Sequence, residues 1–88
     1  MRGLKNTPAA LCGMASEVER IQANIAQNLI ALRGHKGLSQ EALAHAAGID
    51  RTFVSRIERQ LANPSLSTLC ALAKVLGVSA VRLLSTPS

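Results

Sequence analysis

Apolar residues recur at intervals of three and four from Val18 through Ile21, Ile25 and Leu29 to Leu32, the spacing that lines one face of an α-helix. Ser16 and Glu19 stand at capping-box spacing, in which hydroxyl and carboxylate each take a backbone N–H that lacks a helical partner, so a helix is predicted to begin at Ser16. Gly37 is the expected left-handed stop, with Lys36 suited to the negative end of the helix dipole. The same punctuation then repeats. Ser39 caps a short helix from Gln40 to Ala47 that stops at Gly48, and Asp50 caps a third from Arg51 to about Arg59, with Phe53, Val54 and Ile57 on its apolar side. Gln60 to Pro64 breaks the period. Ser65 caps a fourth helix with Leu66, Leu69, Leu72, Ala73 and Leu76 at helical spacing, Gly77 closes it, and Ser79 caps a last short helix from Ala80 to Leu84. The prediction is an all-α, compact five-helix bundle spanning residues 16–85. Ahead of it Gly3, Pro8 and Gly13 interrupt any period, so residues 1–15 are expected to be a disordered tail and 86–88 a frayed end.

Composition narrows the class. The chain has 88 residues and 48% hydrophobic residues, nearly all Ala, Leu, Val and Ile, with Phe53 its one aromatic, a makeup that favours helices over sheet. A chain this short buries about 60% of its unfolded surface, so one small core is expected. Ten Lys and Arg against five Asp and Glu give a net charge of +5, which points to a polyanionic partner. No apolar run approaches the roughly 18 residues of a spanning helix, and Ala9-Ala10-Leu11-Cys12 is too short for a secretory core, so a cytoplasmic chain is expected. Cys12 and Cys70 have no Cys or His at metal-ligand spacing, which predicts reduced thiols and no metal site.

The second and third helices, joined by a three-residue turn containing Gly48, have the form of a helix-turn-helix, in which the second member enters the major groove of DNA. Ala44 is small enough for the two axes to approach, Gly48 takes the positive-φ turn, and Ile49, Val54 and Ile57 fill the wedge. Arg51, Thr52, Ser55 and Arg56 lie near the tip of the third helix, where side chains reach base edges, and Arg can donate two hydrogen bonds to guanine. Arg59 lies eight residues from Arg51, about 12 Å along the axis at 1.5 Å per residue, and is better placed for a phosphate. Ser39 and Gln40 at the second helix, and Asn63 and Ser65 at the fourth, are further phosphate candidates. In the tail, Arg2 and Lys5 offer a basic arm as the alternative to plain disorder.

The run from Leu38 to Gly77 resembles the phage-repressor and Cro-like helix-turn-helix family, over roughly residues 24–84. The likeness is carried by Leu38-Ser39-Gln40-Glu41, Ala44, Gly48-Ile49, Val54-Ser55-Arg56-Ile57-Glu58 and Asn63-Pro64-Ser65. It implies a lambda-repressor-like fold, double-stranded DNA as partner, a role in transcriptional regulation, and an ion pair between Arg33 and Glu58. Asp50 to Ser55 is most similar to the controller proteins of restriction–modification systems, which implies a homodimer on paired operators. The chain departs from the family at Gln60, usually Gly, and at Leu61 and Ala62, often basic.

A dimer face is also expected from the last helix. Ala80, Val81, Leu83 and Leu84 leave Arg82 as its one charge; with Val78 and Leu83 turned to the core, Val81 and Leu84 remain for a second copy. Bound to an inverted-repeat operator, such a dimer could meet RNA polymerase. No cofactor and no small-molecule effector are expected. His35 and His45 lie on different helices without a nucleophile at catalytic spacing, so an enzyme is not expected. The competing reading is an antitoxin-type interaction module that masks a partner toxin and autoregulates its operon.

Overall fold

The computed structural model describes residues 16–87, and the expectations for the tail and for Ser88 lie outside them. Five helices follow one another: α1 (Glu17–His35), α2 (Gln40–Ala47), α3 (Arg51–Glu58), α4 (Leu66–Leu76) and α5 (Ala80–Leu84). Each starts where a short polar side chain meets the free end of the helix. The hydroxyls of Ser16, Ser39, Ser65 and Ser79 accept from the N–H groups of Glu19, Ala42, Thr68 and Arg82, and the carboxylate of Asp50 accepts from that of Thr52. The reciprocal bond from Ser16 N–H to Glu19 completes the box on α1.

The apolar faces meet in one core of Ile25, Leu29, Leu43, Ala44, Val54, Ile57, Leu69, Leu72, Ala73, Leu76 and Leu83. Each large side chain so buried contributes on the order of 1.5–3 kcal/mol. Helix α1 packs on α3 and α5, α4 on α2 and α5, and α2 on α3. Two members of the predicted stripes do not join. Val18 is 59% exposed and Leu66 74% exposed. Both have the right rotation about their helix axes, but they stand in the first turns of α1 and α4, outside the closed part of the core.

Helix α5 is anchored by a residue that periodicity does not single out. Asn28, 2% exposed, donates through Nδ2 to the carbonyls of Arg82 (3.1 Å), Leu83 (2.9 Å) and Ser85 (2.8 Å). Its Oδ1 accepts from Arg82 Nη1 at 2.9 Å, and Asn24 donates to the Leu84 carbonyl at 3.1 Å. These asparagines on α1 satisfy carbonyls that a helix end leaves without partners.

Candidate nucleic-acid interface

Helices α2 and α3 are set against each other by the turn between them. Gly48 takes φ 73° and its N–H bonds back to Ala44 and His45, while Ile49 N–H reaches the Ala44 carbonyl at 2.9 Å. A left-handed residue there ends α2 at once, and glycine adopts that conformation without a Cβ penalty. Ala44 is buried at the junction, and Val54 and Ile57 press α3 onto the core.

Burying one side of α3 presents the other. Arg51, Thr52, Ser55, Arg56 and Arg59 fall within an arc of about 140° at 3.6 residues per turn, opposite Val54 and Ile57. Arg51, Thr52, Arg56 and Arg59 are exposed and Ser55 is half-buried. One of the arginines is already engaged: Arg56 Nη2 donates to the Leu61 carbonyl at 3.1 Å. That bond braces the exit of α3, where Gln60 holds φ 61° and Leu61 N–H returns to the Arg56 carbonyl at 2.8 Å. The loop closes like a glycine-ended helix without the glycine.

The phosphate candidates divide by what holds them. Ser39 and Ser65 accept from their own helix N–H groups, so each acts first as a cap. Gln40 Nε2 donates to Glu58 Oε1 at 2.8 Å. Asn63 accepts a hydrogen bond from Gln22 of α1, which draws it toward the α1–α4 side of the molecule. Glu58 is paired as the family resemblance implied: Arg33 Nε meets Oε2 at 2.8 Å and Nη2 meets Oε1 at 3.0 Å, with the Glu58 side chain 4% exposed. The third arginine nitrogen, Nη1, donates to the Leu38 carbonyl at 2.9 Å, so one guanidinium ties α1 to the entry of α2 and the end of α3.

On α5, Leu83 is buried, Val78 packs on the core and Val81 is 68% exposed. Leu84 is half-buried and lines an open groove of about 210 Å³ with Val18, Ile21, Ile25, Pro64 and Leu69. Sequence reasoning missed Gln22, Asn24 and Asn28. For Asn28 a signal existed: it falls three residues after Ile25, inside the apolar stripe, where a polar side chain needs a partner.

The helix-turn-helix family model matches residues 29–83. The chain belongs to the helix-turn-helix family. A hypothetical transcription factor of Neisseria meningitidis is 45% identical over 67 residues, 76% of this chain and 63% of the relative's length. The chain thus spans just under two thirds of that relative. The restriction–modification controller protein C.AhdI from Aeromonas hydrophila superposes with a TM-score of 0.68 at 40% identity, covering 70% of this chain and 94% of that one. The biofilm master regulator SinR, solved in complex with DNA, superposes with a TM-score of 0.67 at 40% identity, covering 69% of this chain and 98% of that one. The family and these likenesses make the chain a DNA-binding transcriptional regulator of the Cro and repressor type. Among the described residues, no helix is long and apolar enough to cross a membrane.

Proposed function

We propose that this regulator binds duplex DNA sequence-specifically as a symmetric homodimer on inverted-repeat sites, with α3 in the major groove. The observation that carries the reading is the polar arc of α3, where exposed Arg51 and Thr52 stand at the helix start on a rigidly turned pair of helices. Arg51, Thr52, Ser55 and Arg56 read bases, with Arg56 leaving the Leu61 carbonyl to do so. Ser39, Gln40, Arg59, Asn63 and Ser65 meet phosphates and set the register. The net charge of +5 supplies the long-range attraction. The protein works by binding rather than by catalysis, inside the cytoplasm, without cofactor or effector, and RNA polymerase is the partner through which bound protein acts.

The second copy joins through Val81 and Leu84 of α5. Four such side chains contribute about 1.5–3 kcal/mol each when fully buried. Leu84 is already half-covered within one chain, which lowers the sum, and association costs an estimated 4–15 kcal/mol. The dimer is therefore weak and strengthened by DNA. Selection of bound duplexes from a random pool tests the reading: it should recover two half-sites in inverted order, centred about 10 base pairs apart. Recovery of no preferred sequence would overturn it. The exposed apolar groove favours the antitoxin-type alternative, whose mark is a second, toxin chain that co-purifies through that groove.

A further inference from the structure

Among the described residues Glu58 is the buried acidic one, and more donors converge on it than its ion pair requires. Two nitrogens of Arg33 already occupy both carboxylate oxygens, at 2.8 and 3.0 Å, a geometry that neutralises the charge by itself. The 2.8 Å bond from Gln40 is additional. It spans 18 positions in sequence and pins the first residue of α2 to the last residue of α3. A glutamine amide carries two N–H protons. Glu58 takes one, and the bond fixes the plane of the amide, so the direction of the other is fixed with it.

We propose that Glu58 is a positioning residue for DNA binding: by holding one amide proton of Gln40 it aims the other at a backbone phosphate. The proposal rests on the reading of Gln40 as a phosphate contact. Charge explains why the arrangement tolerates a carboxylate near a polyanion. An unpaired Glu58 would repel the phosphate, whereas the fork of Arg33 cancels it and leaves a local acceptor for Gln40. Holding the amide in advance also removes rotamer freedom that a free glutamine must lose on binding. Ser39, one residue earlier, keeps the α2 backbone in place through its bond from Ala42 N–H, so the side-chain torsions of Gln40 are what Glu58 governs.

The test is a scan of the selected duplex in which single phosphates are replaced by neutral methylphosphonates, with binding measured by fluorescence anisotropy. Wild-type protein should lose affinity about tenfold at the phosphate that Gln40 meets, the scale of a hydrogen bond to a charged group, and Q40A should show no loss there. Removing Glu58 alone strands Arg33, so the informative variant is the double replacement R33M/E58M, which exchanges a buried pair for apolar side chains of similar size and is often neutral for folding. Because it also removes the Arg33 bond to the Leu38 carbonyl, it is paired with R33M/E58Q, which lacks that bond too but keeps an acceptor for Gln40 and should regain the loss at the Gln40 phosphate. The fold of each is checked by circular dichroism and thermal unfolding. R33M/E58M should be insensitive at the Gln40 phosphate, as Q40A is, while keeping the wild-type pattern at every other phosphate and base pair. A folded R33M/E58M that retains the full loss at that phosphate, or a folded R33M/E58Q that does not regain it, overturns the proposal and leaves the phosphate contact standing. A wild-type protein with no phosphate whose sensitivity depends on Gln40 overturns the contact itself, and the proposal with it.

Discussion

Replacing Asn28 with Leu should destabilise the domain through α5, and its size follows from the bonds removed. Two N–H protons of Nδ2 serve three carbonyls, those of Arg82, Leu83 and Ser85, so one proton is shared, and the substitution also removes the Oδ1 acceptor of Arg82 Nη1, a partly buried donor that can turn to water. The Leu83 bond is buried and the other two are partly buried. A buried acceptor left without a partner costs about 1–3 kcal/mol, and partly exposed ones recover much of their loss from water. The lost bonds alone total roughly 3 kcal/mol; leucine has the same branching but is bulkier than asparagine, so crowding in this closed site adds to the loss and no cavity is left. For a domain of 60–100 residues that corresponds to a fall in Tm of roughly 12–24 °C. Thermal and urea unfolding followed by circular dichroism measure it, and sedimentation gives a second readout, because loosening α5 also disturbs Val81. A loss below about 0.5 kcal/mol, the range of an ordinary surface substitution, would refute the assignment of Asn28 as the anchor of α5.

Three further outcomes follow from single observations. Gln60→Gly should stabilise the fold by about 0.5–1 kcal/mol, since a side chain in the left-handed region costs about 1–2 kcal/mol and glycine returns part of that as chain entropy; an unchanged urea midpoint would contradict it. Val81→Asp should leave the unfolding free energy of the monomer within about 0.5 kcal/mol of wild type while weakening self-association in a sedimentation concentration series, because the side chain is 68% exposed; dimers that persist unchanged would move the interface elsewhere. Arg59→Ala should weaken binding to all duplexes alike and reduce the slope of log affinity against log salt by about one, and a changed base preference would show that Arg59 reads sequence instead.

What was legible in the sequence is what is local. A helix start depends on residues three apart, so Ser16 with Glu19, and Ser39, Asp50, Ser65 and Ser79 alone, marked five boundaries that the backbone obeys. The stripes of α1 and α4 gave the core but not its ends. Period fixes the rotation of Val18 and Leu66 about the axis, whereas whether a neighbouring helix extends that far is a tertiary matter. The same limit applies to the candidate site. The polar face of α3 follows from its period, but the partners of its residues lie far along the chain: Glu58 is bonded to Gln40 across 18 positions and to Arg33 across 25, and Asn63 to Gln22 across 41. Family resemblance supplied the Arg33–Glu58 pair; nothing in the spacing pointed to Gln22 or to the bond between Arg56 and Leu61.

Base reading by the start of α3 is measured most directly by the affinity of wild-type protein and Arg51→Ala for every single-base-pair variant of the selected site at fixed salt. If Arg51 forks onto a guanine, wild type should discriminate against the substitutions at one pair in each half-site by about 1–3 kcal/mol. The variant should lose discrimination there and keep it at every other position. A uniform drop across all variants, with the preference at each position intact, would show that Arg51 grips the backbone and would contradict the account of α3 as the reading helix.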